Sequence, residues 1–309
     1  MQIKLFKSCK FHQFLSLRNA MDIKTFIFLD CETTGLPFQE SNKTRITELC
    51  FVAVQSDHIS LGVFPRIQNK LNFCFNPRKF ISTEASRITG LTNELLEHQT
   101  EFDVSCFSVM REFLNANRKP ICLVAHNGNK FDYPILKAEI YKTGNEMASD
   151  VLCIDSLVAF RNLHENSMKR TALPEPVSQV PWELNDGFDD ILGDVVDNID
   201  LQTSSQPKLT VAEIQKINET TPVKNVGGFK FRAVKRKKIF TEKLSFSLGN
   251  LYQRLTSKAP VDAHRAECDV NMLIECAATV GQPFVDWCNE NAQQFCDIPM
   301  MVPGKPIGS

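Results

Sequence analysis

Asp30 and Glu32 stand two residues apart at the end of the apolar run Phe26-Ile27-Phe28-Leu29. In an extended strand, positions i and i+2 face the same side, so both carboxylates project together beside a sheet. Like charges so placed repel unless a cation lies between them, and hard divalent ions such as Mg²⁺ prefer oxygen donors of this kind. The plainer alternative for an isolated Asp-x-Glu is a strand-end loop with solvated acids. A third acid, Asp132, follows Ala125-His126-Asn127-Gly128-Asn129-Lys130-Phe131, where a buried strand runs through a turn into a helix. An aspartate at a helix start is ordinarily a cap. The last group is His264-Arg265-Ala266-Glu267-Cys268-Asp269. Five helical residues turn by about 500°, so His264 and Asp269 do not share a face of one continuous helix. His264 is expected in the turn before that helix, with Asp262 as its N-cap and Asp269 held rigidly. Alone, each of these residues reads as structural or solvent-facing. Together they gain weight from their order along the chain.

The elements that must position them are legible from apolar periodicity. Residues 26–29, 47–54, 69–76, 121–125 and 151–155 read as strands. Residues 82–88, 93–97, 104–115, 133–143, 243–255, 263–280 and 283–295 read as helices. Strands mixed with helices in this order predict an α/β domain with a central sheet. Residues 165–240 break the pattern with Pro174, Pro176, Pro181 and Pro207, an acidic stretch over 183–200, and a basic run of Lys230, Arg232, Lys235, Arg236, Lys237 and Lys238. That segment reads as a long, partly disordered insertion. The expected organisation is a basic, disordered leader over 1–23, one domain formed by 24–164 and 241–297, the insertion over 165–240, and a loose tail over 298–309.

Composition narrows the class. With 35 Lys+Arg against 36 Asp+Glu, the net charge of −1 offers no overall field toward a polyanion, so such attraction must come from local patches. No stretch of about 18 apolar residues exists to span a membrane. The eleven cysteines include no CxxC pair and read as reduced thiols of an intracellular protein. Residues 1–20 hold Lys4, Lys7, Lys10 and Arg18 and no acid, in the manner of a mitochondrial presequence, though with little Ser and one Arg. Met21 is an alternative start. The basic run over 235–238 is open to three readings: a DNA-backbone track, a nuclear localisation signal or a solvated linker.

The ensemble of motifs resembles the DEDDh exonucleases of the DnaQ-like superfamily, and among them the three-prime repair exonuclease (TREX) family. The residues that carry the resemblance are Phe28-Leu29-Asp30-Cys31-Glu32-Thr33-Thr34-Gly35-Leu36-Pro37, Arg87-Ile88-Thr89-Gly90-Leu91, His126-Asn127-Gly128 through Asp132-Tyr133-Pro134, Asp155-Ser156-Leu157, Ser247-Leu248-Gly249-Asn250-Leu251-Tyr252, and His264 to Asp269. It covers residues 25–164 and 241–297. The resemblance implies an RNase H-like (DnaQ-like exonuclease) fold, with a central mixed sheet flanked by helices. It implies 3′→5′ hydrolysis of DNA, one nucleoside monophosphate at a time, in DNA repair or degradation. It implies that Asp30, Glu32, Asp132 and Asp269 hold two Mg²⁺ or Mn²⁺ ions, which in such sites lie about 3.5–4 Å apart, and that His264 takes a proton from the attacking water. The backbone around Glu32, Thr33, Thr34 and Leu36 would grip the terminal nucleotide. Ile88 and Phe131 would wedge between the last two bases, Phe131 standing where the family has tyrosine. His126 and Lys130 would contact phosphates. The substrate would be a DNA 3′ end, single-stranded or frayed duplex, and the protein a homodimer joined through residues 69–76. Expected compartments are nucleus, cytoplasm or mitochondrion. The insertion is longer than expected for the family, and the family's proline-rich stretch and the long hydrophobic C-terminal extension of one mammalian form are not found in this sequence.

Three competing functions share these motifs: an RNA-directed DEDDh exonuclease, a polymerase proofreading subunit, and a non-catalytic nucleic-acid-binding module. The presence of all five catalytic positions argues against the last.

Overall fold

In the computed structural model, residues 22–171, 244–261 and 263–307 are described. All of them except 244 and 245 fall in one compact unit. The second unit, 184–245, lies outside the described residues except at its last two positions. So do residues 1–21 of the expected leader, the acidic and basic stretches of the insertion, and the expected cap Asp262.

The chain runs through β1 (Thr25–Thr33), β2 (Ile46–Gln55), α1 (Ser56–Ser60), β3 (Asn69–Cys74), α2 (Thr83–Thr89), α3 (Val104–Asn115), β4 (Ile121–Ala125), α4 (Asp132–Lys142), β5 (Leu152–Asp155) and α5 (Ser156–Thr171). After the insertion come α6 (Leu248–Thr256), α7 (Ala266–Val280), α8 (Gln282–Asn291), β6 (Gln293–Gln294) and a 3₁₀ turn. The six strands form one sheet in the order β3-β2-β1-β4-β5-β6. β1 is antiparallel to β2 and parallel to β4; β4 and β5 are parallel, and β6 adds an antiparallel edge. This is the mixed, helix-flanked sheet of an RNase H-like fold.

Alternation along β1 sorts its side chains into two layers. Phe26 and Phe28 pack with Val52, Val54, Val270, Leu273 and Phe284 under α5 to α8. Ile27, Leu29 and Cys31 pack with Phe51, Phe107, Met110, Tyr133 and Leu136 under α3 and α4. β4 is apolar at every position, and β1 from Phe26 to Leu29, because both faces are covered. Among the described residues, no helix is long and apolar enough to cross a membrane.

Several expectations need correction. Residues 93–97 form turns, not a helix; the Asn93 side chain instead receives Ile81 N–H at 3.0 Å and donates to Lys79 O at 2.8 Å. Helix α5 was not anticipated and carries ordered structure past residue 164. Its charged second half masks the periodicity that Leu157 and Phe160 begin. The last predicted helix stops at Asn291, because Gln293 and Gln294 pair with β5. The tail is packed rather than loose: Met301 is buried and its N–H bonds Pro134 O at 3.0 Å.

Candidate active site

Asp30 and Glu32 continue the register of Phe26 and Phe28, so they fall on the face covered by α7. Helix α7 buries Ala266 and Val270 against that face, and Asp269, one residue before Val270, is 9% exposed. The result is a cluster of three acids: carboxylate oxygens of Asp30, Glu32 and Asp269 lie within 4.8 Å of one another. Burial, and then the charge of Asp269, raise the Asp30 and Glu32 carboxyls well above their ordinary values. Such acids resist ionising together without a cation. Hard oxygen donors converging in this way fit a divalent metal ion, which would offset the repulsion.

Asp132 reaches the site from the opposite layer. It opens α4 and is 1% exposed. It does not cap its helix; Phe131 holds the cap position without a side-chain bond. Its Oδ1 accepts both the backbone N–H of Cys31, at 3.2 Å, and the thiol of Cys31, at 3.3 Å. Burial pushes its carboxyl up to about 7, against the opposing effect of these Cys31 bonds. Asp132 adjoins the three-acid cluster electrostatically without being one of its mutually close members.

The start of α4 is set by close packing. Tyr133 is fully buried; its hydroxyl receives Ala125 N–H at 2.9 Å and lies within hydrogen-bond reach of the carbonyls of Leu123 on β4 and Ile154 on β5. Gly128 lies so near that a Cβ would come within 2.7 Å of the Tyr133 ring. Asp155, buried, accepts Asn129 N–H at 3.1 Å and Leu157 N–H at 3.0 Å, fixing the turn before Asp132 to the start of α5.

His264 occupies the turn before α7, as the rotation argument requires, with φ +68°. Its N–H donates to Asp269 Oδ2 at 2.8 Å. Partial burial lowers the imidazole from its ordinary value, which favours the neutral, proton-accepting form.

The expected substrate contacts divide. Ile88 on α2 and Phe131 are half-buried, and Lys130 is exposed. Leu36 is half-buried, whereas Thr33 and Thr34 are buried. The backbone of Thr34 is already used, its N–H on Arg45 O at 3.0 Å and its carbonyl on Ser82 N–H at 2.8 Å. His126, expected to contact a phosphate, has Nδ1 3.0 Å from Ser156 Oγ and Nε2 2.9 Å from Phe246 O. With both ring nitrogens engaged inside the fold, His126 clamps the strand-end loop to the point where the chain returns from the insertion. Two supporting acids were given no site role from sequence: Asp155, quoted only within the Asp155-Ser156-Leu157 motif, and Glu48 on β2, which is 9% exposed. Their signals were a carboxylate before a helix and an acid interrupting an apolar strand.

Comparison with known proteins agrees with this arrangement. The Exonuclease family (RNase_T) matches residues 27–191. Three-prime repair exonuclease 1 of Bos taurus is 30% identical over 295 residues, spanning 91% of this chain and 71% of the relative. Three prime repair exonuclease 2 of Homo sapiens is 39% identical over 150 residues, 45% of this chain and 62% of the relative. A solved structure of exonuclease I, 16% identical, covers 85% of this chain and 43% of its own with a TM-score of 0.47. The family match over more than half the chain and the extent of the bovine alignment place this chain in the exonuclease family and, within it, among the three-prime repair exonucleases, which are 3′→5′ DNA exonucleases.

Proposed function

We propose that this enzyme hydrolyses the last phosphodiester of a DNA 3′ end, releasing nucleoside monophosphates, with Asp30, Glu32, Asp132 and Asp269 as metal ligands and His264 as general base. The observation that carries the reading is the convergence of Asp30, Glu32 and Asp269 within 4.8 Å beside the His264 turn. Two bound Mg²⁺ or Mn²⁺ ions would supply an activated water and charge neutralisation at the departing 3′ oxygen. The residues do the rest. β1 and α7 hold three carboxylates on one rigid face. Cys31 holds Asp132 at the strand end. His264, kept neutral by partial burial, accepts a proton from the attacking water. Ile88 and Phe131 offer apolar faces that suit any base, as sequence-independent digestion requires. Lys130, exposed on the turn before Asp132, is the candidate phosphate contact.

A homodimer through β3 is part of this proposal. β3 is the outer strand of the sheet, and its residues are exposed or half-buried, so its free edge can extend the sheet into a second copy. A reducing, intracellular compartment suits the free thiols of the described cysteines.

The test is digestion of matched 5′-labelled single-stranded DNA, duplex DNA and RNA with Mg²⁺, alongside His264→Ala. A ladder of shortened DNA that is lost in the variant and weak on RNA supports the proposal. Preferential digestion of RNA moves the substrate assignment to RNA, and no digestion of any substrate overturns the catalytic reading.

A further inference from the structure

Glu48 lies directly opposite Glu32 in the β1–β2 pairing. Residues opposed across neighbouring strands project to the same face, so Glu48 shares the α7 side of the sheet with Asp30 and Glu32. What its carboxylate contacts sets it apart. Glu48 Oε2 accepts the backbone N–H of Ala266 at 3.2 Å, and Ala266 is the first residue of α7. The N–H groups of a helix's first turn have no partner inside the helix. Arg265, at the N-cap position, supplies no side-chain bond. A strand-borne carboxylate thus fills the place that a local Ser, Thr or Asp ordinarily takes.

The bond falls between the two functional residues of this segment. His264 is two residues before Ala266 and Asp269 three after. Asp269 closes the turn by accepting His264 N–H at 2.8 Å. The positive φ of His264 is a conformation that a residue with a Cβ keeps only where its surroundings over-determine it. The Glu48–Ala266 bond anchors one end of that turn to the sheet, and the burial of Ala266 anchors it to the core.

We infer that Glu48 is a positioning residue: through the Ala266 amide it sets where α7 stands on β1 and β2, and so where Asp269 enters the acid cluster and His264 stands beside it. The inference rests on Asp30, Glu32 and Asp269 being the metal-holding acids. Glu48 acts as a hydrogen-bond acceptor of fixed reach, not as a ligand and not through its charge.

Two variants separate these roles. Glu48→Gln keeps an acceptor oxygen at the same reach and loses the charge. Glu48→Asp keeps the charge and shortens the reach. The full chain, both variants and Asp269→Ala are compared by Mn²⁺ titration followed by electron paramagnetic resonance without DNA, by amide hydrogen exchange over residues 264–270, and by steady-state digestion of single-stranded DNA. Glu48→Asp is expected to bind Mn²⁺ about 10- to 100-fold more weakly, the usual cost of losing support behind a metal ligand. It should also exchange faster at Ala266 and lose kcat with little change in KM. Glu48→Gln is expected to match the parent in all three. An impaired Glu48→Gln with an intact Glu48→Asp overturns the inference in favour of charge or coordination. Parental metal affinity and kcat in both variants, with only the melting temperature changed, reduces Glu48 to a structural cap and also overturns it. A parent without metal-dependent digestion, or an Asp269→Ala variant that keeps it, refutes the catalytic reading instead; metal affinity and amide exchange then still decide the role of Glu48.

Discussion

Asp132 and Cys31 are joined by two hydrogen bonds to one oxygen: the backbone N–H and the thiol of Cys31 both point at Asp132 Oδ1, at 3.2 and 3.3 Å. Cys31 is the residue between Asp30 and Glu32, and its side chain faces the layer opposite to theirs. One strand therefore presents two acids to the α7 side and grips a third from the α4 side.

Removing the thiol donor should make Asp132 harder to ionise, since bonds donated to a carboxylate favour its charged form. Cys31→Val is expected to shift the acid limb of the metal-dependent pH–rate profile upward by about half a unit to one unit, while Cys31→Ser stays near the parent. Superimposable profiles for Cys31→Val and parent would show that the thiol does not tune Asp132.

Neutralising one of the crowded acids should trade activity for stability. Asp30→Asn and Asp269→Asn are expected to lose digestion by about 10²–10³-fold or more, as for removal of a group that stabilises transition-state charge. In chelator they should melt higher than the parent, by roughly 0.5–2 kcal/mol, because a like charge leaves a buried cluster. Melting scans in EDTA beside activity assays decide it; a lower melting point in both variants would contradict the repulsion argument.

The same crowding sets a pH dependence. In the folded state burial raises Asp30 and Glu32 well above ordinary values and Asp132 to about 7. Raised carboxyl values mean the folded state holds protons that the unfolded chain releases. The resulting stability is full below the unfolded carboxylate range and is lost as pH rises through the folded values. In chelator the melting temperature should fall from about pH 5 to about pH 8. Mg²⁺ or Mn²⁺ should reverse the fall, most strongly at the higher pH, where no protons need displacing. A metal increment that is flat with pH would count against these acids as ligands.

His126 predicts a slope of the opposite sign. Burial lowers its imidazole to about 4, so its contribution to stability is full above the unfolded histidine value, about 6.5. That contribution is lost as pH falls toward the folded value. His126→Phe should lose about 1–3 kcal/mol at neutral pH for the broken Ser156 and Phe246 bonds. The gap from the parent should narrow between about pH 6.5 and pH 4, as chemical denaturation at each pH will reveal. A constant gap would mean the imidazole does not titrate this way.

Gly128→Ala tests the packing behind Asp132. Its new methyl would meet Ala125 Cβ and the Tyr133 ring, each at 2.7 Å. Neither can move without disturbing β4 or α4. The expected cost is about 1–3 kcal/mol of overpacking, with kcat falling more than KM as Asp132 is displaced. A variant as stable and active as the parent would show that the turn relaxes freely.

Local pattern carried most of the site to the reader of the sequence. The two-residue period of a strand put Asp30 and Glu32 on one face, and the 3.6-residue period of a helix moved His264 off α7 into the turn before it. Both are short-range steric facts that any chain of these residues obeys. The strands were legible for the same reason: covered on both faces, β4 and the stretches 26–29 of β1 and 49–54 of β2 read as apolar runs.

What only the tertiary structure decided are the partners of polar groups far apart in the chain. His126 carries no mark distinguishing a phosphate contact from a clamp; its bonds to Ser156 and Phe246 arise because the start of α5 and the returning chain meet it in space. Helix α5 escaped because its second half is charged, and its apolar first turns gain meaning only once Phe284 stacks on Phe160. Glu48 looked like an anomaly in an apolar strand until α7 brought the Ala266 amide to it. Sequence by itself determined which residues could do chemistry and which face of its own element each must occupy, because those follow from backbone geometry one turn or one pleat long. Which acid meets which donor across sequence separations of 101 or 218 residues was decided by packing, since it depends on how two layers close over one sheet.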